Sequence, residues 1–199
     1  MQISFSTGDW QKVLRIIGDP RAAPDPLAGD QHGASGETTP DDASEDEDGD
    51  DEDDLFDRLN EALAGDPITS AGGDSMIYNG EFGDVFLACK DHLPREDFAT
   101  LGRFIASFCS MVGGFPVPND ADLGAPEWFA VMSPSTLAEL APLPERVDRR
   151  ALRAAVRAAL VSKQASFPSV GHFFDYLDMW TRAYRLAAAG GLCGAIHLG

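Results

Sequence analysis

The chain has 199 residues, 44% of them hydrophobic, and a formal net charge of −18. That length sets one domain, and that apolar content is enough for a packed core. A field this negative makes nucleic acid and anionic membrane surfaces poor partners, because both are held by Lys and Arg. It favours basic proteins or cations instead. The charge is local. Residues 41–57 hold 12 acids and no Lys or Arg, and without them the net charge is −6 over the other 182 residues.

Residues 1–6 alternate apolar and polar side chains at Ile3 and Phe5, which predicts a first strand. They carry no basic region ahead of a long apolar run, so no signal peptide is expected. Asp9 caps a helix to Ile17, with Trp10, Val13, Leu14 and Ile17 on one face. Gly18, Asp19 and Pro20 stop it. Residues 1–20 thus form the first part of the core.

From 21 to 54 periodicity disappears, and Pro, Gly, Asp, Ser and Thr dominate. Such a segment buries too little to offset the entropy of ordering, so it is expected to be a disordered acidic loop inside the chain. Residues 55–199 make up the rest of the domain. Leu55, Leu59 and Leu63 recur every fourth residue and predict a helix, with acids just before it where a helix N-terminus favours them.

Residues 84–89 fit either a buried strand or a helix start. Pro94 opens a helix to Val112, with Phe98, Leu101, Ile105, Phe108 and Val112 as its core stripe. Residues 128–132 read as a short buried strand. Ser133 caps and Pro134 starts a brief helix to Leu140. Residues 147–163 form a strong helix with Leu152, Val156, Ala159 and Leu160 inward. Ser169 or Gly171 leads into another, lined by Phe173, Phe174, Leu177, Trp180 and Tyr184 and ended by Gly190 and Gly191. Residues 192–198 finish as a strand expected at a sheet edge. The whole is α+β: a single domain with a short mixed or antiparallel sheet packed by three to five helices, plus the acidic insertion.

No motif for catalysis, a cofactor or a metal stands out. Asp46, Asp48 and Asp50 have the alternate spacing of a calcium loop, but Gly49 is misplaced for the turn. His32, His92, His172 and His197 are scattered, with no pair four apart on a helix. Asp175 and Asp178 share a helix side with His172, an arrangement expected at a helix start. Cys89, Cys109 and Cys193 are odd in number and widely spaced in apolar surroundings, which points to buried thiols in a cytoplasmic protein. No stretch approaches the ~18 apolar residues of a membrane span.

Two charged surfaces remain as binding candidates. The first is Asp46, Asp48, Asp50, Asp51, Glu52, Asp53 and Asp54, running into Leu55, Phe56 and Leu59. Its acids would steer a partner while the apolar stripe docks, or the stripe is simply core. The second is Arg146, Arg149, Arg150, Arg153 and Arg157, whose spacing puts them on one helix face. That face is a solvated one with ion pairs, a nucleic-acid site lacking interleaved aromatics, or a counter-charge for the chain's own polyanion.

One resemblance belongs to the C-terminal half. Trp128-Phe-Ala-Val-Met-Ser-Pro-Ser-Thr-Leu-Ala-Glu-Leu gives a strand and a Ser-Pro helix start. Phe173-Phe-Asp-Tyr-Leu-Asp-Met-Trp-Thr-Arg-Ala-Tyr-Arg-Leu gives a helix that runs into a last apolar strand. This order is similar to the YfbM-like family of bacterial proteins of unknown function. The resemblance implies a compact α+β fold and carries no catalytic residue across.

The expected function is non-catalytic protein binding, with a bacterial immunity-type inhibitor of a basic toxin as the leading case. The alternatives are a small-ligand protein or enzyme with a site assembled from scattered residues, and an adaptor that docks through the helix at 55–63.

Overall fold

A computed structural model of the chain describes residues 2–18, 22, 50–66, 76–78, 80–109, 112, 114–121, 129–162 and 167–198. Their elements run β1 (Gln2–Asp9), α1 (Trp10–Ile16), α2 (Asp50–Ala62), β2 (Met76–Tyr78), α3 (Gly80–Ala88), α4 (Arg95–Ala106), β3 (Phe129–Met132) and α5 (Pro134–Leu140). A 3-10 turn (Leu143–Arg146), α6 (Arg149–Val161), α7 (Val170–Ala189) and β4 (Leu192–Leu198) follow.

The strands form one antiparallel sheet in the order β2-β1-β4-β3. The α+β class is therefore as expected. β4 is not at an edge. It pairs with β1 along Ile3–Asp9 and with β3 along its other side. Its composition is that of a strand buried on both faces: Cys193 and Ala195 face one layer, Ile196 the other.

The two faces carry separate cores. On one, Val13, Leu59, Ala62 and Leu63 pack on Phe129, Val131, Cys193 and Ala195. On the other, Phe5, Met132 and Ile196 meet α5, α7 and the helices outside them. α1 and α2 thus cover one face, and α3 to α7 lie on the opposite side. Among the described residues, α1, α2, α5 and α7 pack on the sheet.

Local chemistry explains most boundaries. Asp9 Oδ1 accepts from the Gln11 and Lys12 amides and starts α1. Ser133 accepts from the Thr136 amide, with Pro134 at the first helical position. Asp148 and Ser169 cap α6 and α7 in the same way. Residues 84–88 are helical, and Cys89 follows in the turn that ends the helix. Phe82, Val85, Phe86 and Cys89 are all buried, a spacing of three and four that six residues alone do not reveal.

Three boundaries move. α2 begins at Asp50, so residues 50–54 are helix and not loop. Carboxylates are stabilised on the first turn, and the buried Leu59 and Leu63 tie down the rest. Residues 23–49, where most of the expected disordered segment falls, lie outside the described residues. α4 stops at Ala106, six residues early. The Ser107 hydroxyl donates to the Phe104 carbonyl at 2.5 Å, and the Phe108 amide shifts to Ile105. A serine that bonds locally competes with the helix ladder in this way. Phe108 and Val112 stay in the core beyond the helix end. Finally, Arg146 belongs to the 3-10 turn, so it is not on the helix that carries the other four arginines.

The outer side of β3 is covered by its own loop. The Val131 amide donates to Asn119 Oδ1 at 3.1 Å, the Asp120 amide donates to the Val131 carbonyl at 2.7 Å, and the Ser133 amide donates to Asp120 Oδ2 at 2.6 Å. Backbone groups at a sheet edge are a template for another chain unless they are paired.

Gly8 sets where α2 sits. A Cβ there would lie 2.0 Å from the Ala62 carbonyl oxygen, with backbone and not side chain in the way. One step along, Thr7 and Gly65 exchange both backbone hydrogen bonds, at 2.8 and 2.9 Å. Gly8→Ala is expected to push α2 off β1 and cost more than the ~1 kcal/mol typical of point substitutions. Chemical denaturation measures this, and an unchanged midpoint would show that α2 does not rest there.

Candidate functional site

The acidic surface is built on α2. Leu59 and Leu63 are 1% and 2% exposed and Leu55 is half-buried, while Asp57, Arg58, Asn60 and Glu61 face solvent. The leucine stripe is core. It packs beneath Val13 and Trp10 and over the β3–β4 pair, so it does not present Leu59 to a partner helix. The docking adaptor is corrected on that point. Of the acids, Asp50, Asp51, Glu52, Asp53 and Asp54 lie on the first turns of α2. Asp46 and Asp48 lie outside the described residues, as does the calcium-like spacing they begin, and only the backbone of Phe56 is described.

The basic surface is built on α6. Arg149, Arg150, Arg153 and Arg157 are exposed, and at 3.6 residues per turn they span an arc of about 100°. Leu152, Ala155, Val156 and Ala159 fill the buried arc opposite. α6 itself carries no acid. Two of the arginines are engaged by α7. The Arg149 guanidinium grips Asp178 with both nitrogens, at 2.9 and 2.6 Å. Arg149 and Arg153 also lie over the Phe174 ring, 4.7 and 4.5 Å from its centre. The ring is a core residue, 2% exposed, that the two guanidinium planes roof.

Asp178 is therefore an arginine partner and not part of a cluster with His172, which is exposed beside Phe167. A second pair, Arg185 with Glu145 at 2.6 Å, ties α7 to the 3-10 turn. The hydrogen bond and charge of Arg185 hold the Glu145 carboxyl below its ordinary range. Both pairs are exposed, where ion pairs contribute little to stability. Nothing in the sequence signals them: the partners of the first are 29 residues apart.

Beneath these surfaces the interior chemistry is quiet. Cys89, Cys109 and Cys193 are buried and unpaired to one another. Burial pushes the Cys89 thiol up to about 12 and the Cys193 thiol up to about 11, so both are protonated at neutral pH and are poor nucleophiles. The Tyr184 hydroxyl, also raised by burial, pairs with the Ser107 hydroxyl at 2.8 Å. Among the described residues no three His, Cys, Asp or Glu side chains gather to hold a metal, and no helix is long and apolar enough to cross a membrane.

His197 takes a fold-dependent charge from its burial. It lies on β4, edge-on to Phe129 at 4.6 Å, and burial lowers its pKa below 6.5. The unfolded chain therefore binds the proton more readily than the folded one. The stability this gives is complete above the unfolded value and is lost as pH falls through the folded one. His197→Gln is expected to flatten the dependence of the thermal midpoint on pH below about 6.5; an equal slope in both proteins would assign it to other groups.

No family model, curated protein or solved structure matches this chain.

Proposed function

We propose that the chain is a non-catalytic, protein-binding protein of the immunity-inhibitor kind, and that its acidic segment engages a basic partner. One observation carries the reading. Five consecutive acids stand at the start of a helix whose inner face is anchored in the core. The run continues upstream to residue 41. An anchored polyanion projects a focused field, which raises the association rate with a basic surface and selects against acidic ones.

Supporting features are the low reactivity of Cys89 and Cys193 and three cysteines that form no disulfide with one another, which suit a cytoplasmic protein. The likeness to the YfbM-like family belongs to the same proposal, and it adds strand and helix positions without a site.

Affinity capture from the source cell tests the reading. The full chain is compared with a variant whose acids at 41–54 are changed to Asn and Gln, each in low and high salt. The full chain is expected to retain a basic protein, to inhibit its activity, and to release it in high salt. Equal retention by the neutralised variant would remove the acidic segment from the interface.

A further inference from the structure

We propose that the α6 arginine face receives the acidic segment, residues 41–57, of a second copy of this chain, so that copies associate head to tail. This goes beyond the basic-partner reading: it shares the acidic segment with that reading and adds the arginine face. The face is concentrated: Arg149, Arg150, Arg153 and Arg157 occupy one exposed arc in a chain with 15 basic and 33 acidic residues. It is also preorganised. Arg149 and Arg153 are held over Phe174, so they lose little freedom when they take further carboxylates. Arg150 and Arg157 point outward from the same arc, each a planar fork suited to a carboxylate.

The occupant follows from charge and placement. The chain carries its own dense run of carboxylates, and the last part of that run lies on α2. α2 covers one face of the sheet, whereas α6 packs on α3 and α7 on the far side. The backbones of α2 and α6 thus lie on opposite sides of the sheet, which favours an encounter of these acids with α6 of another copy. Such a contact joins two different patches and so propagates unless its rotation closes a ring. The net charge of −18 opposes it at long range. At about 0.1 M salt the screening length is about 10 Å, which mutes that repulsion and leaves contact pairs; at about 1 M it is near 3 Å and the contact pairs weaken too.

Sedimentation equilibrium over a concentration series tests the proposal with three proteins. These are the full chain, Arg150→Glu/Arg157→Glu, and the variant neutralised at 41–54. The substituted arginines are exposed and touch neither Phe174 nor Asp178 in the contacts above, and Arg150→Gln/Arg157→Gln serves if the reversal unfolds. In about 0.1 M salt the full chain is expected to exceed its monomer mass at least twofold and to return to monomer near 1 M. Each variant alone is expected to stay monomeric. Mixed, they are expected to form a one-to-one complex, because one retains the acids and the other the arginines. A monomeric full chain, as internal pairing or a foreign acidic partner would give, overturns the proposal. So does association that survives in either variant, or a mixture that fails to complement. Capture of a basic protein by the arginine variant would leave the earlier reading intact in each of these cases.

Discussion

Replacing Leu59 with aspartate is expected to release α2 from the sheet and lower the folding free energy by more than any leucine truncation there. Leu59 is 1% exposed, among Val13, Leu63, Phe129 and Val131. Truncating such a residue costs about 2–5 kcal/mol, and a carboxylate adds the desolvation of a charge with no cation in the cluster. Against a total stability of about 5–15 kcal/mol this is enough to unfold part of the molecule. Leu59→Met, which conserves volume, is expected to cost under about 1.5 kcal/mol. Exposed Glu61→Gln should shift stability by no more than about 0.5 kcal/mol. Denaturant melts with circular dichroism measure all three. If Leu59→Asp kept the wild-type midpoint and lost only binding, the stripe would be a docking face and the core assignment would fail.

The second large effect is expected at Trp180. Its ring is fully buried and stacks on Phe108 at 4.3 Å and 8°, with Phe5 and Tyr184 at 5.4 and 5.8 Å. Phe5 comes from the central strand β1, and its ring lies where a Cβ on Gly194 would be, 2.4 Å away. Trp180 therefore links α7, the segment after α4, and the sheet through one aromatic group. Trp180→Ala is expected to cost about 3–5 kcal/mol. The indole nitrogen and the Tyr176 hydroxyl interact only outside good hydrogen-bond geometry, so Trp180→Phe loses chiefly volume and should retain most of the stability. Equal losses for Phe and Ala would mean that the indole, and not the stack, is what the site requires.

Much of this fold is legible in the sequence because it is written in local chemistry. Asp9, Ser133 and Ser169 are caps whose hydroxyl or carboxylate meets an amide two or three residues on. The stripe Phe173, Phe174, Leu177, Trp180 and Tyr184 is buried throughout. What fails to show is pairing over distance. A run such as Leu192–Leu198 announces a buried strand but not which strands flank it, so its central place is new. α4 ends early through the Ser107 hydroxyl, whose second partner, Tyr184, lies 77 residues on.

The binding surfaces follow the same division. The acid run and the arginine spacing are visible as composition. The role of Leu59 is not, because a stripe that docks a partner and a stripe that fills a core have the same period. Nor do Phe174 and Asp178 advertise that they hold Arg149 in place. Folding sorts the candidates: it buries Leu59 and half-buries Leu55, while Asp57 stays exposed.

The most direct test of the central claim is kinetic. Once the basic partner is captured, its association rate constant with the full chain is measured by stopped flow from low to high salt, beside the variant neutralised at 41–54. Electrostatic steering predicts that the full chain associates about 10- to 1,000-fold faster than the variant at low salt, and that the two rates converge as salt rises. Equal rates at low salt, with both proteins folded, would contradict the account.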